Sequence, residues 1–598
     1  MLFLIKSFKS ILSTNDVLKF YFISLGLIII ALLEVFGLAL ISFLIMNLNN
    51  LDSILESSSI FIKLISFFQL SNISYSLILC VLIILYSCFN ILVSIASIRY
   101  ISIYSQKLGA NIKSKIVNFY LYLDWIEVTR MKASENMSRV INDGNEVSDI
   151  LYFLMHLISK YALSLLIITL LLIFNTSLTV ILVALLSLVY ILIFYVSKPL
   201  ITQNSLDQAR LLDSIMGVVK NMFGSLKEII FYGTHEKVLS NFSELNHSYA
   251  KAKGSNMALA QIPRSIIDSL ILIALVSLLL FTQIQNLDPT IFFSTISIYG
   301  IAALKLLPAF QNIFYFSHEI YVRFPYLENI SNLFLKIKQN KKSDSVRNKS
   351  SSKMSQTIEF RNISFRYPDS NNNSLDDINL SINLAEKIAI VGPSGSGKST
   401  FIDIFLGFMP PTEGEIYIDN KKASYFENNS YRRNFAYVPQ KIYFLEASLK
   451  DNISFGSESS LSNKASLDRI LSDVELTELV DNLPNGIETF ISDGNQMVSG
   501  GQKQCIGIAR ALIRNGDILI LDEATSSMDN NLEKKIYSSI FKSNFETIIS
   551  VTHKPSLLKM FDRIYVFKDG QIEDSGNFDH LKQNNSFFTA MLEDFSDN

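Results

Sequence analysis

The first 310 residues alternate between long apolar runs and polar connections. A helix that crosses a membrane needs about 20 mostly apolar residues, and six runs reach about that length. We therefore predict a membrane domain with six spanning helices. The predicted spans are residues 20–46, 75–96, 154–174, 178–196, 265–284 and 290–309.

The connections between these runs differ in length and charge. Residues 97–153 and 197–264 are long and rich in Lys and Arg, whereas the turns at 175–177 and 285–289 contain neither. Because positively charged loops stay in the cytoplasm, the long connections and both chain ends are predicted to be cytoplasmic. We expect the long connections to be helical extensions that reach a cytosolic domain. The expected contacts are residues 123–128 (LDWIEV) and 231–236 (FYGTHE).

Two further segments flank the first span. The N-terminal residues MLFLIKSFKSILSTND have an apolar run too short for a secretory signal and no small-residue cleavage site, so they predict a retained amphipathic helix. Residues 47–74 place apolar side chains mostly at helical spacing, which favours a short helix on the outer membrane surface. The serines at 57–59 interrupt that pattern, so a plain extension of the second span is the alternative.

Residues 337–356 are polar and charged, which is typical of a linker. They separate a predicted membrane domain, residues 1–336, from a second domain, residues 357–598. In the second domain, the apolar run at 388–391 leads directly into GPSGSGKST. This run predicts a buried β-strand followed by a turn and a helix.

The segment GPSGSGKST fits the phosphate-loop pattern G-x-x-x-x-G-K-[ST] in its strand-to-helix context. Its glycines allow backbone N–H groups to surround phosphate oxygens at a helix N-terminus. Lys398 can then reach the β- and γ-phosphates of ATP, and Ser399 can ligate Mg²⁺. The predicted phosphate-binding residues are Gly392, Pro393, Ser394, Gly395, Ser396, Gly397, Lys398, Ser399 and Thr400.

A second apolar strand, residues 518–521, ends in Asp522 and Glu523. A carboxylate at a strand end suits Mg²⁺ coordination, and an adjacent carboxylate can orient and deprotonate the attacking water. An Asp-Glu pair alone is weak evidence. Downstream of a phosphate loop, the pair predicts an ATPase.

Residues 498–504 read VSGGQKQ and resemble the signature of ATP-binding cassette (ABC) proteins. With the predicted spans and the phosphate loop, the resemblance covers essentially the whole chain, which is similar to an exporter-type ABC half-transporter. The resemblance implies an α-helical six-span transmembrane domain fused to an α/β P-loop nucleotide-binding domain. It also implies hydrolysis of ATP with Mg²⁺.

The resemblance assigns roles to residues outside the phosphate loop. Tyr367 corresponds to the aromatic residue that stacks on adenine, and Gln440 to the glutamine that touches Mg²⁺ and contacts the membrane domain. His553 corresponds to the switch histidine near the γ-phosphate. The implied catalytic residues are Glu523, His553, Gln440 and Lys398, and the implied Mg²⁺ ligands are Ser399, Gln440 and Asp522. Further implied ATP contacts are Ser499, Gly500, Gly501 and Gln502 of the signature and Asp529 of the D-loop.

The sequence departs from the ABC pattern at two positions. Val498 stands where Leu is usual, which is a mild change, and Cys505 stands where Arg is usual. We expect the loss of this Arg to alter stability or rate rather than to abolish ATP hydrolysis.

One phosphate loop and one signature in a chain with six spans imply a dimer. In the family, the signature binds the γ-phosphate of ATP held by the partner subunit. We therefore expect two ATP sites at the interface of a dimer. Because both Glu523 and His553 are present, neither site need be degenerate, which favours a homodimer over a heterodimer.

Composition excludes several classes of function. The chain has 598 residues, 49% of them hydrophobic, and a formal charge of −2. It has no basic domain of the kind that binds nucleic acid, so no nucleic-acid partner is expected. Cys80, Cys88 and Cys505 are widely spaced, which supports neither a disulfide framework nor a zinc site.

Charged residues inside the spans are the evidence for the transported substrate. At 1.5 Å per residue, Lys305 and Lys160 both lie about 21–22 Å from the outer face, and Glu34 lies about 13 Å above them. A Glu34–Lys305 ion pair is therefore not expected. The lysines either snorkel to the cytosolic interface or form an inner-leaflet ring, with Arg99 nearby, that receives an anionic head group.

Three features resemble bacterial flippases for lipid-linked oligosaccharides of the protein-glycosylation type: the predicted outer helix, Glu34, and the sixth-span sequence FSTISIYGIAALKLLPAFQNI. Those flippases usually have Arg at the position of Lys305. Lys keeps the positive charge but cannot form the bidentate hydrogen bonds that Arg makes to phosphate. The resemblance implies a polyprenyl-pyrophosphate glycan or glycolipid moved outward across a bacterial inner membrane.

The sequence bears on three other functions. An exporter of a peptide, such as an antimicrobial or microcin-like peptide, or of amphipathic drugs is the alternative; no cysteine-peptidase domain precedes the spans, which disfavours a leader-cleaving peptide exporter. A regulator that senses ATP without transport is disfavoured by the presence of Glu523 and His553. An importer is not expected, because importers of this family usually keep spans and motor on separate chains.

Overall fold

The computed structural model of the chain describes most of its 598 residues. The segment proposed as an outer surface helix, residues 47–74, and residues 341–356 of the predicted linker lie outside the described part. Contacts divide the chain into two compact units, Met1–Leu123 with Val128–Gln339 and Asp124–Glu127 with Asn340–Asn598. The described residues are 7–8, 11–46, 75–174, 176–285, 289–340, 357–423, 429–455, 464–492, 498–514 and 516–596.

The described part of the first unit is helical. Three of its helices, of 47, 49 and 51 residues, are too long for the bilayer, because 47 residues extend for about 70 Å and the hydrocarbon core is about 30 Å thick. The long polar connections are therefore helical extensions, as the sequence predicts. In chain order the helices are α1 Thr14–Met46, α2 Tyr75–Leu121, α3 Trp125–Arg130, α4 Ala133–Ser138, α5 Gly144–Phe174, α6 Thr176–Gly224, α7 Leu226–Tyr232, α8 His235–Gln285, α9 Pro289–Val322 and α10 Phe324–Asn340.

Four helices within the described residues are long and apolar enough to cross a membrane: Thr14–Leu44, Leu77–Leu121, Ser134–Ile173 and Thr179–Gly224. The fifth and sixth predicted spans fall within α8 and α9. Many side chains there lie outside the described part, so six spans stay a prediction.

The short segment Asp124–Glu127 groups with the second unit rather than with the helices around it. The ring of Trp125 lies 5.7 Å from the ring of Phe408, centroid to centroid. Ile126 packs against the apolar core next to the phosphate-loop helix. Part of the segment 123–128 thus belongs to the second unit itself.

The second unit contains a six-stranded sheet with strand order β12-β11-β3-β10-β9-β6 and a four-stranded sheet with order β2-β1-β4-β5. In the larger sheet the strands from β11 to β6 are parallel, and β12 pairs antiparallel to β11. The strands are β1 Thr357–Phe365, β2 Leu375–Asn383, β3 Lys387–Val391, β4 Glu413–Ile418, β5 Lys421–Lys422, β6 Phe435–Val438, β7 Ala447–Ser448, β8 Phe490–Ile491, β9 Ile518–Asp522, β10 Thr547–Val551, β11 Arg563–Lys568 and β12 Gln571–Gly576.

Helices accompany these strands at both faces of the large sheet. Side chains of a strand alternate between its faces, and Ile388 and Ile390 of β3 join one core while Ala389 and Val391 join the other. The helices are α11 Lys398–Phe405, α12 Asn429–Arg432, α13 Leu449–Ser454, α14 Lys464–Asp473, α15 Thr477–Asn482, α16 Gly500–Ile513, α17 Asn530–Phe541, α18 Pro555–Leu558, α19 Phe578–Asn584 and α20 Ser586–Ser596.

Candidate functional site

The phosphate loop follows β3 and leads into α11, as the sequence pattern predicts. Gly392 has φ of 151° and Gly397 has φ of 98°, a region that side chains disfavour. A Cβ on Gly392 would lie 2.3 Å from the carbonyl oxygen of Phe567. Gly397 is the N-cap of α11, and no side chain caps the helix there. The backbone N–H groups of the first turn are therefore available to an anion.

Two polar side chains face inward at this loop. Lys398 is 6% exposed, and its Nζ donates to the carbonyl oxygens of Gly392 and Pro393 at 2.7 and 2.8 Å. Burial lowers the pKa of Lys398. The Oγ of Ser396 is buried without a hydrogen-bond partner among the described residues. An unpartnered buried hydroxyl and a desolvated ammonium at a helix N-terminus fit a bound phosphate group.

Glu523 connects two of the predicted catalytic residues. One carboxylate oxygen accepts a hydrogen bond from Nε2 of Gln440 at 2.6 Å, and the other lies 2.9 Å from Nε2 of His553. Glu523 follows β9 and adopts a left-handed backbone with φ of 48°, which is uncommon for a residue with a side chain. The structure thus brings the candidate base, the glutamine and the switch histidine together at the ends of parallel strands.

Asp522 lies beside Glu523 at the end of β9 and is 9% exposed. Burial, and then the neighbouring Glu523, raises the pKa of Asp522 to about 6. The hydroxyl of Tyr437 donates to it at 3.4 Å. At pH 7 the carboxylate is mostly ionised, and a cation next to it is favourable because it offsets the desolvation.

The residues present fit Mg²⁺. No group of three or more His, Cys, Asp and Glu side chains among the described residues makes a metal site by itself, and Mg²⁺ characteristically uses one or two carboxylates together with substrate phosphates. Asp522, the exposed hydroxyl of Ser399 and the amide of Gln440 would hold it. When bound, Mg²⁺ neutralises phosphate charge.

The predicted adenine-stacking residue lies beside the phosphate-loop helix. The hydroxyl of Tyr367 is 3.3 Å from Oγ1 of Thr400. Its ring packs edge-to-face on Phe365, with 5.0 Å between centroids. Tyr367 is half-buried, so one part of the ring is fixed and another is open to a ligand.

The signature residues form the start of α16 and do not meet the phosphate loop of the same chain. Ser499 caps the helix: its N–H donates to Oε1 of Gln502 at 2.8 Å, and its Oγ accepts from the N–H of Gln502 at 3.3 Å. Among the described hydrogen bonds, none joins the signature to residues 392–400. The capping bonds show how the start of α16 is held, and the contact of the signature with ATP stays a prediction.

Asp529, predicted to contact ATP, caps α17 in the structure. Its Oδ1 accepts from the N–H groups of Asn531 and Leu532, both at 2.9 Å. These bonds, the Leu532 bond first, lower the pKa of Asp529. The capping bonds show a structural role for this side chain, and its contact with ATP stays a prediction.

Two residues that hold the loop after Glu523 were not identified from the sequence. Gln504 is 5% exposed and bonds Ser526 and Ser527, both at 2.9 Å. Lys554, next to His553, donates to the carbonyl oxygen of Met528 at 3.0 Å and pairs with the buried Glu533 at 3.1 Å. Gln504 is the last residue of the signature segment 498–504 and Lys554 directly follows His553, and only these positions could have drawn attention to them.

Cys505, the departure from the ABC pattern, is a residue of α16 whose side chain lies in the apolar core and is 1% exposed. Burial raises the pKa of its thiol to about 12. The thiolate is the reactive form of cysteine, so this thiol is inert at neutral pH. It acts as a small apolar core residue.

We expect Cys505 to resist maleimide at pH 7 in the folded chain and to react only after denaturation. The measurement is labelling of a variant in which Cys80 and Cys88 are replaced by Ser, because both also carry free thiols. Ser538→Cys, at an exposed position of α17, is the matched control and should label at least about 100-fold faster. Comparable labelling rates at Cys505 and position 538 would contradict the assignment.

The predicted substrate residues are not brought to one place. Lys305 lines a cavity of about 250 Å³ between α1, α2 and α9, together with Glu34. Both charges face the same cavity, although the depth estimate places them about 13 Å apart along the membrane normal. Lys160 on α5 is half-buried and Arg99 on α2 is exposed, and neither lines this cavity. A single ring of these three cations stays a prediction.

Comparison with known proteins agrees with the geometry of the second unit. Residues 375–526 match the ABC transporter family model, a stretch that contains the phosphate loop, Gln440, the signature and Glu523. This part of the chain is an ABC transporter ATP-binding domain, consistent with an ATPase coupled to transport.

Two relatives illustrate the range of similar proteins. An "ATP-dependent lipid A-core flippase" of Ralstonia nicotianae is 34% identical over 39% of this chain and 40% of its own length. The "Mating factor M secretion protein mam1" of Schizosaccharomyces pombe is 37% identical over 39% of this chain and 17% of its own length. The chain covers between 17% and 42% of the curated relatives it matches.

One solved structure is similar over almost the entire chain. It is a bacterial Atm1-family ABC exporter with ATP bound, with a TM-score of 0.75 at 18% identity, covering 97% of this chain and 98% of its own. At this identity the likeness shows the fold alone. The fold is that of an ABC exporter, with an N-terminal helical transmembrane region and a C-terminal nucleotide-binding domain.

Proposed function

We propose that this chain is an ATP-driven exporter or flippase that works as a homodimer in a bacterial inner membrane. Its substrate is an amphipathic, anionic lipid-linked molecule, namely a polyprenyl-pyrophosphate oligosaccharide or a related glycolipid. The transporter moves this molecule from the inner to the outer leaflet. Both chain ends lie in the cytoplasm.

The ATPase part of the proposal is supported by the arrangement around Glu523. Its carboxylate is held by Gln440 and His553, which fixes it where it can accept a proton from water attacking the γ-phosphate. Lys398 and the N-terminus of α11 stabilise the charge on the phosphates. A regulator that only senses ATP would not need this general base.

The homodimer is supported by the separation of signature and phosphate loop within one chain. A γ-phosphate held at Lys398 needs further donors on its open side. The capping box uses the N–H groups of Ser499 and Gln502, so the N–H groups of Gly500 and Gly501 between them would serve the phosphate held by a neighbour. In two identical chains related by a two-fold axis, the signature of each chain can face the phosphate loop of the other. ATP then closes the interface, and hydrolysis reopens it.

Two short helices support transmission of this motion to the membrane. Trp125 of α3 is packed on Phe408 of the ATP-binding unit. On α7, Phe231 and Tyr232 are 80% and 72% exposed, which is unusual for neighbouring aromatic residues of a helix outside the predicted spans. In the proposed dimer, this exposed pair is available to the second copy.

The proposal of an anionic substrate rests mainly on the position of Lys305. It is an exposed cation within a predicted span, and it has no described anionic partner. A lysine at this depth is expensive in hydrocarbon, so it faces protein, water or ligand. A phosphate or pyrophosphate head group supplies the missing charge, and the flippase relative is named for a lipid substrate.

A peptide or drug exporter is the second candidate function. The observation that favours it is the similarity to a secretion protein named for a mating factor. That match spans 237 residues, 39% of this chain and 17% of the relative, which is too little to carry a substrate over to this chain. The residues of the membrane domain therefore have to identify the substrate.

Stimulation of ATPase activity by lipid tests the cargo. We expect Lys305→Ala and Lys160→Ala to raise the half-maximal concentration of a polyprenyl-pyrophosphate glycan about tenfold or more, the effect of removing a charged hydrogen bond. Basal ATPase should be unchanged, as it should be in the exposed control Lys251→Ala. Unchanged stimulation and transport in both span variants would refute the anionic cargo.

A further inference from the structure

The cavity that contains Lys305 has a second, oppositely charged wall. On α1, Glu34 shares a helical stripe with Gly37, Leu38 and Ile41, since residues three and four apart lie on one helix face. One end of this wall is thus a carboxylate and the remainder is apolar. This wall of the cavity is therefore charged at Glu34 and apolar beside it.

A polar stripe of α2 completes the cavity. Ser87, Asn90 and Ser94 all line it, at a spacing that places them on one face of the helix. The carbonyl oxygen of the Asn90 side chain is buried and has no hydrogen-bond partner among the described residues. A buried acceptor without a donor costs free energy, which a ligand with N–H or O–H groups would recover.

The wall beside Glu34 is fixed by close packing. The hydroxyl of Tyr86 donates to the backbone carbonyl oxygen of Leu33, and its ring packs edge-to-face on Phe36 at 5.6 Å. A Cβ on Gly37 would lie 3.0 Å from this ring. The glycine therefore permits the close approach of the Tyr86 ring to α1 beside Glu34.

The chemistry of the lining selects one class of ligand. Lys305 offers only donors and a positive charge, whereas Glu34 and the Asn90 carbonyl offer only acceptors. A ligand with a bare anionic end would bring its charge next to Glu34, and a cationic ligand would meet Lys305. A head group with an anion beside hydroxyl or amide N–H donors satisfies all three residues.

We infer that Glu34 and Asn90 are specificity-determining residues that bind the sugar next to the phosphate of the cargo, while Lys305 binds the phosphate. This inference rests on the proposed function and deepens it. The volume of about 250 Å³ is below the 300–1,000 Å³ typical of pockets for drug-sized ligands. The cavity thus holds the sugar and phosphate at the lipid end, and the remaining glycan lies outside it.

Two lipid probes that differ only in the sugar test this inference. The full-length protein is placed in nanodiscs of a neutral lipid, and ATPase stimulation is measured with polyprenyl pyrophosphate and with the same lipid carrying one N-acetylhexosamine. The wild type should respond to the glycosylated lipid at a concentration about tenfold lower, as expected for hydrogen bonds to a charged group. Glu34→Gln, which keeps an acceptor but loses the charge, should reduce this preference, and so should Asn90→Ala.

Lys305→Gln should weaken the response to both lipids about equally and keep the preference for the sugar. Glu244→Gln, an exposed carboxylate of α8 outside the cavity, is the matched control and should behave as the wild type. A preference that is unchanged in both Glu34→Gln and Asn90→Ala overturns the inference, while loss of both responses in Lys305→Gln leaves the proposed cargo standing. If neither lipid stimulates the wild type, the cargo proposal and the inference both fail.

Discussion

Replacing Glu523 with Gln is expected to lower the ATPase rate at least about 100-fold, the usual contribution of a general base. The amide keeps the shape of the carboxylate that Gln440 and His553 contact, but it cannot accept a proton from water. ATP binding should be retained, because the phosphate loop is unchanged. Phosphate release by the purified protein measures the rate, and nucleotide retained after gel filtration measures the binding.

The matched control is Glu546→Gln, an exposed glutamate outside the site. It should hydrolyse ATP at the wild-type rate. Equal mixtures of wild type and Glu523→Gln that are allowed to exchange subunits also test the dimer. If both sites must turn over, only the wild-type homodimers are active, and the activity falls to about one quarter. Activity near one half would indicate independent sites.

Replacing Gly397 with Ala is expected to destabilise the ATP-binding domain by about 2–4 kcal/mol and to abolish ATP binding. Its φ of 98° is unfavourable for any side chain. A Cβ there would lie 2.7 Å from Cδ2 of Leu375 and 2.8 Å from the carbonyl oxygen of Ser374. The loop must shift, and the N–H groups at the start of α11 shift with it.

Gly395 provides a matched control for this substitution. Its φ of 82° is also positive, but a Cβ there would meet nothing within 4 Å. Gly395→Ala should therefore cost only about 1 kcal/mol of backbone strain and should leave the unfolding transition close to that of the wild type. Thermal unfolding with and without ATP measures both variants. Equal losses for Gly395→Ala and Gly397→Ala would contradict the packing argument.

The strand, turn and helix that carry the candidate ATP site could be predicted because their pattern is local in sequence. A phosphate loop needs a strand before it and a helix after it, and β3 and α11 take those places. Asp522 and Glu523 end a strand whose neighbours in the sheet are parallel. Parallel strands bring their carboxyl ends to one edge, so Gln440, Glu523 and His553 meet there.

Residues that act through tertiary packing could not be predicted. Gln504 bonds Ser526 and Ser527 because α16 happens to run past the loop after β9, and no periodicity encodes that contact. That Glu34 and Lys305 line one cavity could not be predicted from the sequence for a related reason. A depth calculation treats helices as upright rods, whereas tilt and packing decide which side chains face one another.

The most direct test of the central claim is translocation in proteoliposomes with ATP-binding domains on the outside. A polyprenyl-pyrophosphate glycan in the outer leaflet should become protected from periodate oxidation when ATP and Mg²⁺ are added to the wild type. Glu523→Gln should give no protection beyond that of protein-free liposomes. Equal protection with Glu523→Gln and wild type, or no protection with an active wild-type ATPase, would contradict an ATP-driven flippase of this cargo.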